Sequence, residues 1–196
     1  MSAKNMTYQL RTLELAIAHG DTAETECLLD NSPDLLEARF PENIGLTPLM
    51  WACRNRHVAI VESLLKRGAS VNEINPKGAD GDGGNTALWF TAQGAFPGTL
   101  SIARLLTQAG AEIDHIGEHE TTALWMAISW VHMELVQFLL SCGANPQIKN
   151  AKGITAIDSL KADLSWCEAQ PKPTENMKRI LFRAPRMIAY LEKIHG

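Results

Sequence analysis

An all-α solenoid of stacked helix-turn-helix units is the fold class this sequence predicts, and three observations carry the prediction. A short triplet, Thr followed by Pro or Ala and then Leu or Ile, starts at Thr47, Thr86, Thr122 and Thr155, with spacings of 39, 36 and 33 residues. A Leu-Leu pair followed by Gly-Ala trails three of these starts, at Leu64-Leu65 and Gly68-Ala69, Leu105-Leu106 and Gly110-Ala111, and Leu139-Leu140 and Gly143-Ala144. Apolar residues between the two signatures recur at helical rather than strand spacing. Self-similarity at a period of roughly 33 residues marks units that cannot bury an apolar face alone and must stack.

Each element follows from local chemistry. Thr47-Pro48 suits a helix start, because a threonine oxygen can cap the free N–H groups and proline tolerates the first helical position. Leu49, Ala52 and Cys53 then share one face, with small residues where a neighbouring helix must approach. The second helix carries Val61, Leu64 and Leu65 and stops at Gly68, which suits a left-handed terminus. The repeats are read as about 7–39, 42–74, 81–114 and 117–149, with a divergent fifth and a cap at 150–196, all in a single domain. The first repeat is degenerate: Leu13, Ala16, Ile17, Gly20 and Asp21 lead to Leu28-Leu29, and Arg11 stands where Thr is expected. The fifth starts at Gly153 and Thr155 but lacks the later signature; Cys167 to Pro173 reads as a loop. Residues 175–196 read as one or two capping helices interrupted near Pro185.

These triplets, Leu-Leu pairs and Gly-Ala pairs resemble the ankyrin-repeat family over about residues 8–160. The resemblance implies finger loops and inner helices that together form a concave face for a partner protein, and no catalysis. Carried over by position, it implies partner-binding residues Asn43, Ile44, Leu46, Arg54 and Asn55 in the second repeat, and Asp82, Asn85 and Gln93 in the third. It implies Glu118, His119, Thr121, Ser129 and Trp130 in the fourth, and Lys152, Ile154, Ala162 and Asp163 in the fifth. Short arrays of this style resemble bacterial proteins, some of which neutralise one partner, so an immunity-type inhibitor is one expectation and a scaffold or host-directed effector the other. Trp89 and Trp125, three residues after their threonines, and Trp51, four after its own, are expected to stack between repeats, whereas Trp130 is weighed equally as a groove anchor and as packing.

Composition narrows the remaining classes. The chain has 196 residues, 45% apolar and 20% charged, the balance of an ordinary globular protein. No apolar run is long enough for a membrane helix, and Met1–Thr12 has no signal-peptide core, so a cytoplasmic setting is expected. A net charge of −4 gives no case for nucleic acid or membrane partners; the chain is expected to be monomeric when free and to need no cofactor. Charge is uneven, however: residues 177–196 carry +4 and the rest −8. Cys27, Cys53, Cys142 and Cys167 form no C-x-x-C pair and are expected to be reduced, core or near-core residues. No phosphate-binding loop, His-Glu-x-x-His or Gly-x-Ser-x-Gly motif is present. The alternative of another class is a metal-binding or enzymatic protein using the His115–Glu120 cluster, or a calcium loop at Asp80 and Asp82, which lacks the closing carboxylate at Thr91. His57 and His132, each ten residues after a repeat threonine, are expected to be structural, and Phe96 to fold back on its own repeat.

Overall fold

The computed structural model of the chain describes residues 3–77 and 83–195. Among the described residues it is all-helical apart from two isolated bridges, Phe40 with Leu46 and Lys149 with Thr155. Helices α1 (Ala3–His19), α3 (Pro48–Asn55), α5 (Ala87–Ala92), α7 (Ala123–Ser129) and α9 (Ala156–Glu168) form an inner row, each packed on the next. Helices α2 (Thr22–Asn31), α4 (Val58–Lys66), α6 (Thr99–Gln108) and α8 (Met133–Ser141) form the outer row, and α10 (Glu175–His195) packs against α9.

The repeat signatures act as expected. Thr47, Thr86, Thr122 and Thr155 each accept a hydrogen bond from the backbone N–H three residues on, at 3.3, 3.4, 3.1 and 3.2 Å. Asp21 does the same for Glu24 in the degenerate first repeat. At the other end, Ala69, Ala111 and Ala144 donate back to the carbonyls of Leu64, Leu106 and Leu139. The intervening Gly68, Gly110 and Gly143 make this possible with φ near 90° (88, 88 and 90), which a side chain would strain.

One apolar core runs the length of the stack, from Leu13 and Ile17 through Leu49, Leu88 and Leu124 to Leu160, Met187 and Leu191. A polar ladder accompanies it. Glu37, Asn72 and Asp114 each accept from a backbone N–H of the following repeat, at Ser70, Glu112 and Asn145.

The C-terminal cap differs from expectation twice. The expected loop from Cys167 begins later, because α9 continues to Glu168 and buries Cys167. The expected interruption at Pro185 is absent: α10 is one helix of 21 residues. Pro185 is on the exposed side, where water can satisfy the freed carbonyl, while Ala184, Met187 and Leu191 are fully buried on the other and hold the helix together through it. At 13 residues, α9 also outreaches the 7-residue α7 by six residues, about 9 Å at 1.5 Å per residue.

The tryptophans join repeats by hydrogen bonds rather than by a ring ladder. The Trp51 indole donates to the Glu14 carbonyl at 3.1 Å, and the Trp89 indole to Thr121 Oγ1 at 3.0 Å. The Trp125 indole N–H is buried with no acceptor among the described residues. The sequence gives the reason: where the fourth repeat has Thr121 before its capping threonine, the fifth has Ile154. Ile154→Thr is therefore expected to supply the missing acceptor and stabilise the chain by about 0.5–1.5 kcal/mol, read as a higher urea midpoint. An unchanged midpoint would place the Trp125 indole elsewhere.

Candidate protein-binding surface

The inner helices present their exposed side chains along one face. Near the end of α3, the Arg54 guanidinium is exposed and lies 6.0 Å from the Trp51 ring centre and 5.9 Å from that of Phe90. Asn55 beside it donates to the Trp51 carbonyl at 2.8 Å. Towards the C-terminal end, Ser129, Trp130, Asp163, Trp166 and Arg179 line a hollow of about 380 Å³. Trp166 is 60% exposed there. Partial desolvation raises the Asp163 carboxyl above its usual range.

The expected site residues divide into three groups. Ile44 is an exposed finger tip in a left-handed conformation, and Arg54 and His119 are exposed as well. Asn43, Asn55, Gln93, Glu118, Ser129 and Trp130 are partly buried, and several are already engaged. Asn43 donates to the buried Glu14 carboxylate, which Arg11 also meets. The Gln93 carbonyl accepts from Arg56 at 2.6 Å. Leu46 and Asn85 are corrections, because both are fully buried. The bridge of Leu46 to Phe40 turns its side chain into the core. Asn85 ties two fingers together: its Oδ1 accepts from Glu118 N at 2.7 Å and its Nδ2 donates to Glu118 Oε2 at 3.2 Å. Gly117 permits this approach, since a Cβ there would lie 2.3 Å from Asn85 Oδ1. Thr121 is buried too, as the Trp89 acceptor. Asp82, with Asp80, lies outside the described residues.

Trp130 is not a free anchor. It shares its hollow with the projecting end of α9 and the first turns of α10, and the Arg179 guanidinium lies 5.2 Å from its ring centre. Trp166, on the same projection, is an exposed aromatic that the sequence reading misses. Starting a loop at Cys167 puts Trp166 at a helix end, whereas the continued helix sets it on the outer side, with Leu160 and Cys167 buried opposite.

The His115–Glu120 cluster is engaged in local contacts. His115 Nε2 is 2.8 Å from the Gly84 carbonyl and Nδ1 is 3.3 Å from Glu112, while His119 pairs with Glu118. Among the described residues no group of three or more His, Cys, Asp or Glu side chains is placed to hold a metal ion. The Phe96 ring lies against Gly94 of its own repeat, as expected, but also 3.9 Å from the Arg56 guanidinium of the preceding repeat, and it stays 49% exposed. His57 bonds the Ala18 carbonyl at 3.2 Å, a structural link between the first two repeats.

All four cysteines are unpaired, but only two are core residues, which corrects the expectation for the others: Cys53 and Cys167 are buried, Cys27 and Cys142 exposed. Burial pushes the Cys53 thiol up to about 12, against a smaller opposing hydrogen bond involving Thr91. A thiol reagent should titrate Cys27 and Cys142 in the folded chain and all four cysteines only in denaturant. Fast labelling of Cys53 would contradict this packing.

His132 sets a second measurable property. Burial, reinforced by Arg183 and opposed by Glu134, holds its imidazole below the usual 6.5. The unfolded chain then binds the proton more readily, so stability is complete above pH 6.5 and declines as pH falls from there toward the folded value. His132→Gln should lose less stability over that interval. Equal acid sensitivity in the two proteins would remove His132 as the cause.

Comparison with known proteins agrees with this geometry. The family described as Ankyrin repeat matches residues 44–76, and Ankyrin repeats (3 copies) matches residues 73–150. The chain is 27% identical over 140 residues to the ankyrin repeat and KH domain-containing protein CBG24701 of Caenorhabditis briggsae, covering 71% of this chain and 5% of that one. It is 36% identical over 111 residues to the ankyrin repeat protein nuc-2 of Neurospora crassa, covering 56% and 10%. An ankyrin repeat-containing protein of Treponema pallidum is 31% identical over 112 residues, covering 57% and 35%. The chain thus spans about a third or less of the length of these relatives. It belongs to the ankyrin-repeat family, an all-α solenoid. Such repeats generally mediate protein–protein interaction and are typically non-enzymatic.

Proposed function

We propose that this chain is a non-catalytic binding module that engages one partner protein through its inner-helix face and neutralises it, in the manner of an immunity-type inhibitor. The observation that supports this reading is the pairing of exposed Arg54, above Trp51 and Phe90, with exposed Trp166 beside Trp130 and Arg179. Arginine and tryptophan are among the residue types that dominate binding energy in protein interfaces. Residues 1–176 carry a charge of −8, which favours a partner with a basic face and speeds its approach. The proposal includes a cytoplasmic setting and a free monomer.

The test is affinity capture from native-source lysate with the whole chain and with an Arg54→Ala/Trp166→Ala variant. Both substituted side chains are exposed, so the variant should keep the wild-type helical spectrum and melting point. One stoichiometric partner is expected, bound at least about tenfold more weakly by the variant. Co-expression of the chain with that partner should also abolish the partner's own activity. A partner retained at full strength by the variant would move the site off the inner face. Several weak partners with their activity intact would replace inhibition by scaffolding.

A further inference from the structure

A second surface lies at the opposite end of the helices from the fingers. Helix α10 packs on α9 but does not lie closely along α8, as α8 does along α6. The gap is a groove of about 540 Å³ between α10 and the turns that join α5 to α6 and α7 to α8. Phe96 and Pro97 from the first turn, Met133 from α8 and Phe182 from α10 supply its apolar lining. Phe182 is 78% exposed, more than any other large apolar side chain among the described residues. An aromatic ring so placed leaves apolar area in water that a partner can cover.

Charge at the groove is predominantly positive. Arg179, Arg183, Arg186 and Lys193 recur at helical spacing and form a stripe along one side of α10. Arg179 is committed to Trp130. Arg183 and Arg186 line the groove, are exposed, and have no ion-pair partner among the described residues. The far side of the same helix is neutralised instead, with Glu192 bridging to Lys161 at 2.7 Å. One carboxylate, Glu134, lines the groove against the two guanidiniums. The surface is therefore an apolar trough with a cationic lip.

We propose that this groove docks an acidic segment of a second protein. One bulky apolar side chain enters between Phe96 and Phe182, and two carboxylates pair with Arg183 and Arg186. Carboxylates three or four residues apart on a helix match the spacing of the two guanidiniums, and arginine can hold each one bidentately. A bilayer fits less well. The apolar face of α10 is spent on α9, with Ala184, Met187 and Leu191 fully buried, and a flat lipid surface cannot follow a concave trough. The site is independent of the inner face: it lies on different residues and selects the opposite charge.

The experiment is selection of a phage-displayed library of random linear peptides on the whole chain, followed by fluorescence anisotropy with the enriched peptides. Enriched sequences should carry paired Asp or Glu around a Leu, Phe or Trp. Their binding should weaken at least about tenfold in Arg183→Glu/Arg186→Glu and in Phe182→Ala, and should fall with added salt. It should persist in Arg183→Lys/Arg186→Lys to a larger extent, and be unchanged in Arg54→Ala/Trp166→Ala. The substituted side chains are exposed, and an unchanged helical spectrum and melting point will establish that each variant is folded. Four results would overturn the proposal. They are no enrichment, enrichment of neutral or basic peptides, binding indifferent to the groove variants, and groove-dependent binding to phosphatidylserine vesicles without peptide binding. A concentration-dependent dimer in sedimentation equilibrium that Arg183→Glu/Arg186→Glu abolishes would also overturn it, by assigning the groove to a second copy of the chain.

Discussion

Contact between successive repeats is the constraint on which the rest of this structure depends. Helices α3 to α8 are 6 to 10 residues long, below the length at which an isolated helix persists in water. Each pair exposes an apolar face that only a neighbour can cover. The neighbours also supply polar partners: Glu37, Asn72 and Asp114 each reach a backbone N–H one repeat on, and Asn85 clamps Glu118 from both ends of its side-chain amide. Folding and stacking are thus one event, and a residue that bonds across a repeat boundary is withdrawn from recognition.

That withdrawal shapes both surfaces. Leu46 and Asn85 serve the stack, and Trp89 spends its indole on Thr121. What remains free on the inner face is a small set of large side chains at helix ends, Arg54 and Trp166 foremost. On the opposite edge, the lengthened turn carrying Phe96 and the sparse contact of α10 with α8 leave a trough that a regular outer helix would close. The inner face belongs to an acidic body and the trough to a basic helix, so partners of opposite charge are expected at the two surfaces if both bind as proposed.

The ends of the array show how a repeat is terminated. At the N-terminus, Asp21 replaces threonine as the cap, and Glu14 accepts from both Arg11 and Asn43 to join the first repeat to the next finger. At the C-terminus, Ile154 leaves the Trp125 indole without the acceptor that Thr121 gives Trp89. The fifth repeat offsets this with apolar contact instead, through a lengthened α9 and the continuous α10. The extension of α9 sets Trp166 beside Trp130 and leaves it the more exposed of the two.

The sequence by itself determined the architecture: the solenoid, the threonine caps, the glycine termini and the helical faces were all legible in it. Those features rest on interactions within a few residues of each other, so spacing along the chain encodes them. It also placed Ile44, Arg54 and His119 at the surface, because framework periodicity leaves them outside the core. Only the tertiary structure decided the fate of Leu46, Asn85, Trp130 and Trp166. Each depends on a contact with another repeat or on how far a distant helix extends. The run of α10 through Pro185 belongs with them, since burial against α9 outweighs a local helix breaker. Local chemistry wrote the repeat, and packing between repeats chose which of its side chains are left to bind.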